Sequence, residues 1–92
     1  MQKKKKKVDY EALNAPFMRI PQMDIEVSRA LLDLGLSEIY ELKGRAPEVL
    51  LEESLKKNSD INAQSIRYFR MAVYYSENTI HDTHRLHPDA WI

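Results

Sequence analysis

Ninety-two residues make one domain, large enough to bury about 60% of the surface its unfolded chain exposes and too small for a deep active-site cleft. Basic and acidic residues balance at 14 each, but five basic ones form the unbroken run Lys3, Lys4, Lys5, Lys6 and Lys7, so residues 8–92 set the remaining nine basic residues against all 14 acidic ones, a net of −5. The chain has no cysteine, which excludes disulfide and thiolate chemistry, and no stretch nears the roughly 20 apolar residues of a membrane span; both features predict a cytoplasmic protein without a membrane partner.

The lysine run leads directly into Val8-Asp9-Tyr10-Glu11, so it does not open a signal peptide. Such a run either contacts nucleic-acid phosphates without sequence preference or forms a solvated, disordered end. Residues 1–13 are therefore expected to be a basic tail, residues 14–78 a folded domain, and residues 79–92 a C-terminal segment packed on that domain. Asn14, Pro16, Phe17 and Ile20 predict a short helix ending at Pro21.

From Ile25 to Leu34, the apolar residues Val27, Ala30, Leu31 and Leu34 recur at i, i+3, i+4 and i+7, the spacing of one helix face. Asp24 is placed to cap the start of that helix and Gly35 to stop it in a left-handed conformation. Ser37 then caps a short helix over Glu38 to Lys43, with Ile39 and Leu42 inward and Gly44 as its end. Pro47 opens a third helix through Val49, Leu50, Leu51 and Leu55, which Asn58 ends.

The longest predicted helix starts near Asp60 or Asn62 and runs to about Asn78, with Ile66, Phe69, Ala72, Val73 and Ser76 on one face. Tyr68, Met71, Tyr74 and Tyr75 lie round the rest, and a helix apolar on nearly every side is covered on nearly every side. The cover must come from "HPDAWI", from the first helix or from a second copy of the chain. No run alternates as a strand would. The fold class expected is all-α, a compact bundle of four to five short helices.

Three blocks, "IPQMDIEVSRALLDLGL", "ELKGRAPEVL" and "FRMAVYYSEN", together resemble the small bacterial pathogenicity-locus family, also described as mitomycin-resistance proteins, over about residues 16–78. The resemblance implies a helix-hairpin-helix, or SAM-like, bundle. Ile20, Pro21, Met23, Arg29, Asp33, Leu34, Gly35 and Leu36 match the family's hairpin pattern, whereas Gln22 and Asp24 stand where it has glycines, and Ala46 replaces its capping aspartate.

Those glycines let a hairpin backbone approach a DNA phosphate, which the N–H groups and dipole of the following helix then hold. The candidate phosphate site is Pro21, Gln22, Met23, Asp24 and Arg29, and its chemistry is altered at two positions. Asp24 puts a carboxylate where the phosphate would sit, and Gln22 brings a β-carbon that resists positive φ. The hairpin is then either a weakened phosphate contact or only a structural corner.

Beside Lys3 to Lys7, the candidate nucleic-acid contacts are Arg45, Arg67 and Arg70. Arg67, Arg70, Met71 and Tyr74 share one side of the last helix, a mixture that suits a nucleic-acid backbone or a protein partner, including a second copy of the chain, and equally suits arginine stems lying over core edges. His81, His84 and His87 drift around a helix by about 60° per step, so they converge poorly on one ion and form a weak metal candidate. No cofactor motif and no nucleophile–base set appears, which predicts a non-catalytic binding module with weak, sequence-independent affinity for DNA, or alternatively a protein-interaction or homodimerisation module whose hairpin no longer binds DNA.

Overall fold

The computed structural model describes residues 8–92, so the lysine run lies outside the described residues. Among these residues the chain is all helix and turn: α1 (Tyr10–Leu13), α2 (Ile25–Asp33), α3 (Pro47–Lys57) and α4 (Ile66–Glu77), joined and followed by 3-10 turns, with no strand. None of the helices is long and apolar enough to cross a membrane.

Local chemistry explains most boundaries. The Asp24 carboxylate accepts the Glu26 N–H at 2.8 Å, capping α2, and Gly35 at φ +89° turns the chain out of it. Pro47 opens α3 and Asn58 closes it, as the sequence predicts. The Glu38–Lys43 segment is a 3-10 turn, Ile39–Leu42, and not the α-helix expected. Its start is held by Glu41, whose carboxylate accepts the Ser37 and Glu38 N–H groups at 2.8 and 2.9 Å, instead of by the Ser37 hydroxyl. The predicted helix before Pro21 is likewise a 3-10 turn, Pro16–Arg19, and the predicted start of α4 at residues 60–62 is the Asn62-capped 3-10 turn Ala63–Ser65.

The fold begins earlier than the tail boundary at residue 13 predicted. Ala12 is fully buried, and the Ser28 hydroxyl on α2 donates to its carbonyl at 2.7 Å. A buried hydroxyl bonded to a backbone oxygen ties α1 to α2 and makes residues 9–13 part of the domain. The core joins Phe17 and Ile20 with Val27, Leu31, Leu42, Leu50, Phe69 and Ala72, drawing on every α-helix after α1.

Between Pro16–Arg19 and α2 the chain makes a tight turn in which the Met23 N–H donates to the Ile20 carbonyl at 3.2 Å. Proline at its second position and φ +65° at Gln22 are the type II pattern, which normally takes glycine third. Gln22 adopts the glycine conformation despite its β-carbon. Exchanging it for glycine should therefore raise stability by about 0.5–1 kcal/mol, measured by urea unfolding, because relief of left-handed strain outweighs the added backbone entropy.

Candidate hairpin and arginine sites

The type II turn leads directly into α2, and the first-turn N–H of that helix is occupied from within. Asp24 Oδ1 sits on the Glu26 N–H at the first turn of α2, where a phosphate oxygen would otherwise be held. Pro21 and Gln22 are exposed, whereas Met23 points into the core and anchors the turn. A phosphate approaching here meets a carboxylate, and Glu26 stands beside it.

Arg29, one turn further along α2, is surrounded by three carboxylates. Its guanidinium donates to Asp9 at 2.8 and 2.9 Å, to Glu11 at 2.6 Å and to Asp33 at 3.0 Å. Five N–H donors in a planar fork suit such multiple pairing, which fixes α1 against α2 and leaves a local excess of negative charge. These hydrogen bonds, led by those donated to Asp9, raise the guanidinium's pKa further above its already high range. In return, Arg29 first and the Ala12 N–H second hold the Asp9 carboxyl below the ordinary aspartate range.

Glu41 is also lowered, chiefly by the Ser37 and Glu38 N–H groups. Carboxylates with folded-state pKa values below their unfolded values contribute stability that is complete above the unfolded pKa and fades as pH falls through the folded one. Thermal melts should thus show a plateau above about pH 5 and a falling Tm below about pH 4. Asp9→Asn and Glu41→Gln should each make that acid limb shallower; an unchanged limb in both would mean other groups control it.

The proposed nucleic-acid face on α4 is engaged internally as well. Arg67 donates to Asp89 at 2.8 Å and to Gln64 at 2.7 Å, and Arg70 donates to the Trp91 carbonyl at 2.8 Å and to Glu48 at 3.5 Å. Met71, expected on a partner face, is fully buried in the core, and the C-terminal 3-10 turn Pro88–Trp91 packs on α4. Trp91 lies against Tyr74 with ring centroids 5.3 Å apart and donates its indole N–H to the Arg85 carbonyl at 2.8 Å. The segment after residue 78 is the cover α4 requires. Arg45 alone of the four folded-part arginines named from the sequence carries no ion pair among the described residues, and its side chain is exposed.

The three histidines go separate ways. His81 stacks on Tyr75 at 4.1 Å and its Nε2 lies 2.9 Å from the Tyr75 carbonyl; His84 is exposed; His87 Nδ1 accepts the Asp89 N–H at 3.2 Å. Among the described residues no three histidine or carboxylate side chains gather as a metal-binding group.

Two features have no counterpart in the sequence reading. Arg85 lies 5.8 Å from the ring centroids of both Tyr74 and Trp91, a cation–π contact on the C-terminal cover. A cleft of about 530 Å³ opens beside Arg29, between α2 and the end of α3, with Ile25, Ala30 and Ile61 among its walls. The fully buried Ser54 hydroxyl at its side has no hydrogen-bond partner. No protein-family model, curated protein or solved structure matches the chain.

Proposed function

We propose that this chain is a non-catalytic binding module on a helix-hairpin-helix-like scaffold of the pathogenicity-locus type, in which the hairpin serves as a structural corner and the folded part makes protein contacts. The observation that carries this reading is the Asp24 carboxylate on the α2 N-terminus, in place of a phosphate. Arg29, Arg67 and Arg70 support it, since each is already matched by carboxylates or carbonyls of the chain itself. A folded part of net charge −5 repels a polyanion rather than attracting it.

The test is Asp24→Gly, titrated with labelled duplex DNA and melted in parallel. A structural corner predicts a stability loss of a few tenths of a kcal/mol and unchanged DNA affinity. A gain in DNA affinity would show that the hairpin is a phosphate site blocked only by Asp24, and would overturn the reading. Nucleic-acid association through Lys3 to Lys7 is a second reading, favoured by the separation of a five-lysine run from an acidic folded part.

A further inference from the structure

The outward face of α3 is its own complement. Glu48, Val49, Glu52, Leu55 and Lys56 fall at i, i+1, i+4, i+7 and i+8, one stripe of the helix, and read backwards the stripe exchanges acid for base at its ends and one apolar residue for another next to them. Glu48, Glu52 and Lys56 are exposed, Val49 is 47% exposed and Leu55 half-buried. The stripe lines an open groove of about 750 Å³, with Ala63 and Ile66 as its far wall.

We propose that this groove is the contact between two copies of the chain, with α3 packed antiparallel on the partner's α3 about a two-fold axis passing Glu52. The proposal rests on the reading of the folded part as a protein-contact module and names its partner. Because positions 48 and 56 are equidistant from 52, as are 49 and 55, the axis sets Glu48 against Lys56 of the partner subunit and Val49 against Leu55 of the partner subunit, each twice, as an isologous interface requires.

Parallel packing would instead set acid on acid and base on base. Antiparallel packing also brings the N-terminal end of one α3, carrying Glu48, to the C-terminal end of the other, carrying Lys56, so the two helix dipoles add to the pairing. Lys56 makes no ion pair among the described residues, and the contact of Glu48 with Arg70 is long, at 3.5 Å, and leaves the Glu48 side chain exposed. At the axis Glu52 meets Glu52 of the partner subunit, a like-charge contact that keeps the dimer weak.

Charge reversal tests the arrangement on the full chain by sedimentation velocity over a concentration series at near-physiological salt. The native chain should dimerise as concentration rises. Lys56→Glu and Glu48→Lys, each of which makes both ends of the stripe alike, should remain monomeric at the same concentrations. Their equimolar mixture should recover the dimer, because a stripe acidic at both ends then faces one basic at both ends; this recovery also shows that both variants are folded. Glu52→Gln should lower the dimer Kd severalfold. A native chain that stays monomeric throughout, a dimer indifferent to both reversals, or a mixture that stays monomeric while the native chain dimerises would each overturn the proposal. None of these outcomes alters the result of the Asp24→Gly titration, on which the protein-contact reading depends.

Discussion

Phe69→Ala should lower the stability of the domain by about 3–5 kcal/mol, the cost of truncating a buried phenylalanine and leaving a cavity. Phe69 is fully buried on α4, in the same core as Phe17, Leu42 and Leu50, where the 3-10 turn Ile39–Leu42, α3 and α4 meet. A domain of this size has only about 5–15 kcal/mol in total, so the loss removes a large share of it. At about 4–8 °C per kcal/mol, Tm should fall by at least about 12 °C.

Two features of that experiment separate a core effect from a general one. Ile80→Ala, at an 88% exposed position beyond α4, should stay within about 0.5 kcal/mol of the native chain. In urea, Phe69→Ala should shift the midpoint and leave the slope near its native value, because the surface exposed on unfolding barely changes. A loss below about 1 kcal/mol would mean that α4 does not occupy the centre of the fold.

The second large effect concerns DNA and the lysine run. If Lys3 to Lys7 each neutralise a phosphate, log affinity should fall against log salt with a slope of about −4.5, a loss of about 500-fold between 50 and 200 mM. Fluorescence anisotropy with double- and single-stranded DNA should show that dependence for the full chain, and no binding by a chain beginning at Val8. The physical ground is the distribution of charge: the run holds five positive charges, while residues 8–92 carry a net of −5 with Arg29, Arg67 and Arg70 internally matched. Persistent binding by the shortened chain would place a nucleic-acid contact in the folded part, with Arg45 the first residue to change. Absence of binding by both chains would leave protein contact as the sole role of the module.

The sequence by itself determined the features whose causes lie within one helical turn. Asp24 caps α2 because its carboxylate reaches an N–H two residues on, Gly35 ends that helix because a left-handed residue is needed there, and Pro47 opens α3 because its missing N–H is not required at a first turn. The all-α class follows from the same local pattern. Where the free-energy difference between local states is small, the sequence was a weaker guide: Pro16–Arg19 and Ile39–Leu42 close as 3-10 turns of four residues each, whereas α1, of the same length, closes as an α-helix with Asp9 capping its start.

Tertiary structure decided everything that joins distant positions. Asp9 and Arg29 are 20 residues apart, Arg67 and Asp89 22 apart, and neither periodicity nor capping rules link such pairs. These meetings, with that of Arg70 and the Trp91 carbonyl, convert three arginines that read as nucleic-acid contacts into internal ties, and bring residues 9–13 into the domain. The placement of Pro88–Trp91 on α4 likewise decides that Tyr74 is half-buried against Trp91, and the packing of α4 into the core buries Met71 completely. The α3 stripe shows the same division: its residues and spacing are in the sequence, but only packing reveals that this face, and not the one carrying Leu50 and Ser54, is turned outward. A helix has several faces of equal local merit, and the choice among them belongs to what packs against it.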